Sequence, residues 1–135
     1  MQQHELDQLM KECASDAVQT AEEEFNVKLD LTQDSVANVD DVLLSFVDKY
    51  HDKALEDNAV FTICNIYGAY IGEVFKKMIG GTWRYDQSNP DAPFVVLDVN
   101  ENSYAFSGIC YERLVNNSNI SVKAYFDKAL ANHAQ

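Results

Sequence analysis

Basic side chains are scarce in this sequence of 135 residues, which carries 10 lysine and arginine residues against 22 aspartate and glutamate residues, a formal net charge of −12. Such a surplus of carboxylates repels phosphate groups, so the sequence predicts no partnership with nucleic acid or with an anionic membrane. A basic protein partner suits the same charge, because complementary charge accelerates association and selects partners.

Cysteine is also scarce. The three cysteines, Cys13, Cys64 and Cys110, are odd in number, far apart and without a C-x-x-C pair. This pattern is not that of a disulfide-stapled domain or of a zinc site. It predicts free, buried thiols in a reducing cytoplasm, and we expect neither a metal site nor a cofactor.

Long apolar runs and targeting segments are lacking as well. The longest uncharged stretch covers residues 58–72, which is shorter than the ~20 residues that a membrane-spanning helix needs. Residues 1–7 lack the basic and apolar regions of a signal peptide. We therefore expect a soluble cytoplasmic protein with a single domain over residues 1–135.

Motifs of the common enzyme classes do not occur. The sequence has no G-x-S-x-G, no H-E-x-x-H, no P-loop and no dinucleotide-binding glycine pattern. Its histidines, His4, His51 and His133, are scattered without metal-like spacing. We therefore predict that the protein is not an enzyme and has no catalytic residue.

Helical spacing dominates the first part of the chain. Apolar residues at steps of three and four predict an amphipathic first helix with acidic residues on its other face. A second helix is predicted over residues 36–50 and a third over about residues 55–79, which Gly80 and Gly81 end. Gly68 and Gly72 lie four residues apart in the third helix and predict the close approach of another backbone. The apolar positions of the first helix are Leu6, Leu9, Met10, Cys13, Ala14, Ala17, Val18, Ala21 and Phe25.

The spacing of the apolar residues changes after Gly81 from a helical pattern to short runs typical of strands. Three short runs rich in β-branched and aromatic residues, at 82–85, 94–99 and 103–106, are separated by turn-forming residues at 88–91 and 100–102. They predict an antiparallel meander, and helical patterns follow at 108–115 and 121–132. The order ααα-βββ-αα predicts an α+β fold in which helices pack on a small three-stranded antiparallel sheet.

Three stretches together resemble a known group of proteins. Residues 68–73 read G-A-Y-I-G-E, residues 80–83 read G-G-T-W, and residues 113–126 include R-L-V-N-N and S-V-K-A-Y-F. The pattern is similar to that of a widespread group of small bacterial domains of unknown function, with a G-A-Y-[LI]-G-E helix, a G-G-x-W turn and a closing R-L-x-N-G…S-[LV]-x-x-Y helix. The resemblance covers about residues 60–130, after the first two helices, and Asn117 stands where the pattern favours glycine. It implies a compact α+β domain and no particular activity.

Glu73 is the most prominent single residue, because it is a carboxylate within the most apolar helix. Partial desolvation there would suit it to general acid or base chemistry, with Tyr70, Trp83 and Arg113 beside it. Alternatively, Glu73 caps the turn that follows its helix, accepts a hydrogen bond from the Trp83 indole, or pairs with Arg84 or Arg113, since buried charges are normally paired.

Six aromatic residues are expected near the junction of the third helix with the sheet. They would line a pocket for a flat or cationic ligand, or form the rim of an ordinary core with their polar tips in water. The net negative charge favours a cationic ligand over an anionic one. The six residues are Tyr67, Tyr70, Trp83, Tyr85, Tyr104 and Tyr111.

Two hypotheses of different class follow. The first is a non-catalytic protein-binding or regulatory module, of the immunity-protein, antitoxin or adaptor type, in which acidic runs at residues 22–24 and 40–41 lie on solvated helix faces and steer a basic partner. The second is a small-ligand-binding protein or modest enzyme with a pocket at Glu73 and Trp83 for a cationic or aromatic ligand. The sequence leaves open whether the first helix packs on its own domain or forms a homodimer with a second chain.

Overall fold

The fold is α+β, as the sequence predicts. The computed structural model describes residues 2–49, 57–87 and 94–133. In this part of the chain five α-helices and one three-stranded antiparallel sheet follow each other in the order ααα-βββ-αα. The elements are α1 (Gln3–Phe25), α2 (Ser35–Lys49), α3 (Asp57–Met78), β1 (Thr82–Asp86), β2 (Phe94–Val99), β3 (Asn102–Tyr104), α4 (Phe106–Tyr111), a π-helical segment (Glu112–Asn116) and α5 (Val122–Ala131).

The first two helices form where the apolar spacing predicts them. The buried face of α1 is a narrow stripe of Leu6, Met10 and three alanines, and these small side chains let α1 pack closely on α3. At its carboxyl end Asn26 adopts φ 55°, a left-handed conformation that asparagine tolerates. Thr32, just before α2, helps to cap the start of this helix, because the Ser35 backbone N–H donates to Thr32 Oγ1 at 3.2 Å. The predicted helical position Tyr50 and the start of the third pattern at Leu55 lie outside the described residues.

α3 is the central helix and packs against α1, α4 and α5. Its side chains Tyr67, Tyr70, Ile71, Val74 and Phe75 are fully buried, which explains why this segment is the most apolar of the chain. Two glycines follow the helix, and both have a positive φ that disfavours other residues. The predicted glycine pair at the end of the helix is thus confirmed.

Gly68 confirms the predicted close approach. A Cβ atom at this position would lie 2.6 Å from the backbone N and Cα atoms of Ser107, so only glycine lets α4 pack directly on α3. Gly72 serves a different purpose, because its missing Cβ makes room for the ring of Trp83, as described below.

The sheet has the order β1-β2-β3 with antiparallel neighbours, which confirms the predicted meander. Trp83 pairs with Leu97, and Leu97 with Tyr104, so one face of the sheet is buried on the helices. On the other face, Arg84 Nε donates to Asp98 Oδ2 at 2.7 Å.

The third strand differs from its prediction. It covers Asn102–Tyr104, and Phe106, expected in the strand, instead begins α4 and is buried in the core. Aromatic residues favour strands by propensity, but tertiary packing of the Phe106 ring on Phe75, 5.7 Å between centroids, overrides that preference. The predicted turn at residues 88–91 lies outside the described residues.

The hydrophobic core joins all the helices and the inner face of the sheet. Phe75 lies at its centre, with ring centroids of Tyr104, Phe106 and Phe126 at 5.4, 5.7 and 5.8 Å. Among the helices of the described ranges, none has the combination of length and apolar character that crossing a bilayer would require.

Candidate functional site

A groove of about 810 Å³ lies between α1, α3, α4 and the first two strands. Most of its lining is apolar or aromatic, and Cys13, Asn65, Ser107 and Glu112 are its main polar members. We call it the interhelical groove. It is lined by Leu9, Met10, Cys13, Phe61, Cys64, Asn65, Gly68, Trp83, Tyr85, Val95, Ala105, Ser107, Gly108, Tyr111 and Glu112.

Large apolar side chains at the rim of the groove are open to solvent. Leu9 is 40% exposed, Phe61 60%, Tyr85 43% and Tyr111 38%. They come from four different elements, α1, α3, β1 and α4. Single exposed apolar residues are common on protein surfaces, but several around one concave region mark a site of interaction.

Trp83 is the largest side chain in the groove, and contacts fix both its ring and its backbone. Its ring lies over Gly72, where an added Cβ would be 2.0 Å from Trp83 Cη2. Its indole Nε1–H donates to Glu73 Oε2 at 3.0 Å. The Trp83 backbone carbonyl accepts a hydrogen bond from Gln3 Nε2 at 2.8 Å. The side chain is therefore a rigid, nearly buried wall of the groove.

Glu73 lies behind this wall and is not among the residues that line the groove. Its carboxylate accepts the Trp83 indole hydrogen bond and has Lys76 Nζ at 3.8 Å. This arrangement matches the structural alternative in which Glu73 accepts from the indole. What Glu73 does for the groove is to fix the orientation of Trp83.

Tyr67 and Tyr70 are both fully buried and lie away from the groove lining. Tyr67 donates to the Ala17 carbonyl of α1 at 3.2 Å. The Tyr70 hydroxyl accepts from the Leu31 backbone N–H at 2.8 Å and shares a 2.6 Å hydrogen bond with Ser35 Oγ. Burial raises the pKa of both hydroxyls. They connect α3 to α1 and to the start of α2.

Arg113 is buried in the π-helical segment. Trp83 lines the groove, but neither Arg113 nor Glu73 is among the lining residues. Its guanidinium donates to the Asp40, Ser118 and Ile120 carbonyls and lies 3.3 Å from Asp40 Oδ1. Arg113 thus joins α2 to the segment before α5. Asp40, predicted on a solvated face with Asp41, is instead part of this buried network, whereas Asp41 is exposed.

The six predicted aromatic residues therefore divide into two sets. Trp83, Tyr85 and Tyr111 line the groove, as the pocket hypothesis requires. Tyr67, Tyr70 and Tyr104 fill the core, as the alternative requires, and the Tyr104 hydroxyl is hydrogen-bonded to His133 Nε2 at 2.8 Å. Of the predicted binding residues Glu73, Tyr70, Trp83, Arg113, Tyr67 and Tyr85, the structure brings Trp83 and Tyr85 into the groove.

The groove has negative and apolar character. Glu112 lines it, and no lysine, arginine or histidine is among the lining residues of the described chain. Burial raises the pKa of the Cys13 thiol, and the nearby carboxylates of Asp16 and Glu12 raise it further. Burial also raises the pKa of Cys64 to about 12. Protonated thiols are weak nucleophiles, so the groove is better suited to binding than to covalent chemistry.

Several lining residues were not singled out from the sequence: Leu9, Phe61, Gly108 and Glu112. A signal for two of them does exist in the apolar spacing. Leu9 lies beside the buried stripe Leu6–Met10–Ala14, and Phe61 is an aromatic residue on the exposed side of α3, between buried positions Val60 and Ile63. Both are apolar residues whose side chains are exposed and therefore lie outside the buried face of their helix. Glu112 has no comparable signal.

No group of three or more histidine, cysteine, aspartate or glutamate side chains in the described ranges is arranged to hold a metal ion. In comparisons with known proteins, no family model, no curated protein and no solved structure matches this chain. The resemblance to small bacterial domains of unknown function stays a prediction.

Proposed function

We propose that this protein is a non-catalytic protein-binding or regulatory module that contacts a basic partner through the interhelical groove. The observation that carries the proposal is that four exposed apolar side chains, Leu9, Phe61, Tyr85 and Tyr111, line one concave surface. Aromatic residues set in a recess and surrounded by polar residues are typical anchors of protein interfaces.

The chemistry of the groove supports binding rather than catalysis. Its thiols, Cys13 and Cys64, have a raised pKa, and Glu73 is hydrogen-bonded to Trp83 outside the lining. A general base must itself lie within hydrogen-bond reach of the proton that it removes. The lining instead offers Tyr85 and Tyr111, which supply exposed apolar area, and the buried Trp83 ring, which supplies a fixed shape.

Charge supports a basic partner. The net charge is −12, and the exposed acidic run Glu22–Glu24 extends the negative surface along α1. Opposite charge on a partner would increase the rate of encounter and make binding weaken with salt. This combination suits an immunity protein, an antitoxin or an adaptor in the cytoplasm, and we extend the proposal to a bacterial protein on the strength of the resemblance.

A matched pair of variants tests the proposal. Leu9 and Leu44 are 40% and 37% exposed, but only Leu9 lines the groove, while Leu44 lies on α2. We expect partners captured from a bacterial extract to bind wild type and Leu44→Lys equally and to be lost with Leu9→Lys. The captured protein is then purified and its affinity measured at low and physiological salt. A partner that binds Leu9→Lys as well as wild type would contradict the use of the groove.

A small cationic or aromatic ligand is the second candidate, favoured by the volume of the groove. About 810 Å³ lies within the range of about 300–1,000 Å³ for small-molecule sites. Trp83, the one tryptophan of the sequence, lines the groove and reports its occupancy by fluorescence. A screen of cationic aromatic compounds should then shift both Trp83 emission and Tm, since a ligand at 100 times its Kd stabilises by about 2.7 kcal/mol.

A further inference from the structure

The lining of the groove includes a face of α3 and residues of α4 and its flanks. On α3 the lining residues are Phe61, Cys64, Asn65 and Gly68, which occupy positions i, i+3, i+4 and i+7 of one helix face. With a rise of about 1.5 Å per residue, this face is about 10 Å long, or two turns. On the α4 side, lining residues recur over the same length between residues 105 and 112.

Two bordering helices with a groove between them form the kind of surface on which a third helix packs. An amphipathic helix presents apolar side chains at i, i+3, i+4 and i+7, which matches the two-turn length of the lining. An added strand on β1 fits less well. The Trp83 carbonyl already accepts a hydrogen bond from Gln3 of α1, so α1 occupies an acceptor of that strand.

One carboxylate lines the groove, and two more lie near Cys13, which is one of its lining residues. Glu112 lines the groove next to α4, and Glu12 and Asp16 of α1 lie near enough to Cys13 to raise its pKa together with burial. Lysine or arginine side chains on the solvent-facing edges of a bound helix would complement these charges. The acidic α1 of a second copy would instead be repelled, so charge disfavours a homodimer through this groove.

We infer that the interhelical groove binds two turns of an amphipathic basic helix, with apolar side chains against the exposed Phe61 and Tyr111 and a lysine or arginine beside Glu112. The inference rests on the proposed function and specifies the segment that the partner supplies.

A peptide-display selection tests it with the full-length chain. The probe is a random library of peptides of about 15 residues, a length at which helices begin to be stable. Binders are screened against Gly108→Leu, which puts a leucine into the groove. Within 4 Å, a Cβ at Gly108 meets only the Ala105 Cβ atom, at 3.5 Å, so the Cβ atom of the new leucine fits without a steric clash. Ala37→Leu, at an exposed position of α2, is the matched control.

We expect the selected peptides to bind wild type and Ala37→Leu, to lose binding to Gly108→Leu, and to share apolar residues at helical spacing with lysine or arginine between them. Their circular dichroism should become helical on binding, and Trp83 emission should shift. Groove-dependent binders that are extended would overturn the helix inference while leaving the protein-binding function standing, whereas acidic binders would also contradict the basic partner of the proposed function. A selection without any binder that depends on the groove would overturn both.

A charge-matched pair tests the contact with Glu112. Glu112→Lys and Glu22→Lys change the net charge equally, but Glu22 is exposed on α1 and is not among the groove residues. If the basic peptide were attracted only by the net negative charge of the protein, its binding to the two variants would weaken equally. We expect the selected peptide to bind Glu112→Lys at least tenfold more weakly than Glu22→Lys. Equal affinities for the two variants would contradict the placement of the basic residue.

Discussion

At the scale of single residues, Asp40 does more than its position in an acidic pair suggests. Its carboxylate accepts the backbone N–H groups of Val122 and Lys123 at 2.6 and 3.0 Å and the Ser121 hydroxyl at 3.0 Å. It also lies beside the Arg113 guanidinium. A side chain from α2 thus satisfies the free donors at the start of α5 and a buried positive charge at the same time.

Replacing Asp40 by alanine should therefore destabilise the protein by about 3–5 kcal/mol, the usual cost of leaving one member of a buried ion pair alone. The matched control is Asp41→Ala, at the exposed neighbour, which should change the free energy of unfolding by less than about 0.5 kcal/mol. Urea unfolding followed by Trp83 fluorescence measures both. Equal stabilities of the two variants would show that the Asp40 network contributes little.

Cys13 is the most accessible of the three thiols, since Cys64 and Cys110 are buried. Its pKa is raised by burial and by Asp16 and Glu12, so at pH values below its usual 9.0 less thiolate is present than in an unfolded chain. We expect native protein to take one alkylating group slowly, with a rate that rises as the pH passes 9, and unfolded protein to take three. Mass spectrometry counts the groups.

The contribution of the nearby carboxylates to the raised pKa of Cys13 can be tested separately. The double variant Glu12→Gln, Asp16→Gln should lower the pKa of Cys13 and speed its alkylation severalfold at pH 8, because the thiolate is then less repelled. The variant Glu22→Gln, Glu23→Gln changes the net charge by the same amount elsewhere on α1 and should leave the rate near that of wild type. Equal rates in the two double variants would mean that burial alone protects Cys13.

At the scale of elements, α3 organises both the core and the groove. Its two glycines allow α4 and the Trp83 ring to approach, at a cost of about 1 kcal/mol each in helix propensity relative to alanine. The close packing they permit brings α4 near enough to α1 and β1 to enclose a groove. The groove is therefore built on α3, although Gly68 and Gly72 lower the intrinsic helix propensity of that segment.

Gly72→Ala should destabilise the protein in spite of its better helix propensity. Its Cβ would be 2.0 Å from Trp83 Cη2, and displacing a packed ring costs about 1–3 kcal/mol. Gly108→Ala is the control, because its Cβ would make only an ordinary 3.5 Å contact with Ala105, and it should be neutral or stabilising by up to about 1 kcal/mol. Urea unfolding gives the stabilities. A more stable Gly72→Ala variant with unchanged Trp83 emission would contradict the close contact between Gly72 and the Trp83 ring.

At the scale of the whole molecule, the acidic surplus exceeds what ion pairs can compensate. Several of the basic residues are paired, as in Lys49–Glu24, Arg84–Asp98 and Lys123–Asp127. With 22 acidic and 10 basic residues, at least 22 − 10 = 12 carboxylates have no basic partner of their own. Their mutual repulsion destabilises the compact state at low ionic strength.

Added salt should therefore stabilise the protein. We expect the Tm at neutral pH to rise by several degrees as NaCl is increased from about 0.01 M to about 0.15 M, because the Debye length falls from about 30 to about 8 Å. The same series near the sequence pI of about 4.4 is the control, since the net charge is then close to zero and the rise should vanish. A Tm that falls with salt at neutral pH would mean that the ion pairs outweigh the repulsion.

The helices, the meander and the fold class were predictable because they depend on local spacing. Burial of one face imposes a period of three to four residues on Leu6, Met10, Ala14, Ala17 and Ala21 and would do so in any fold that covers α1. The glycine pair after α3 was equally readable, since few other residues accept a positive φ. Phe106 was misplaced because its packing partners lie far away in the sequence.

The composition and apolar spacing of this sequence by themselves determined most of the elements, their order and the acidic surplus. The tertiary structure alone decided that Arg113 meets Asp40, that Glu73 holds the Trp83 indole, and that Leu9, Phe61 and Glu112 share one groove. The physical reason is that Arg113 and Asp40 are 73 positions apart, and the choice of partner across such a separation leaves no periodic trace. The choice of partner depends on how α3 packs with its neighbours, because that packing sets the distances between side chains that are far apart in the sequence.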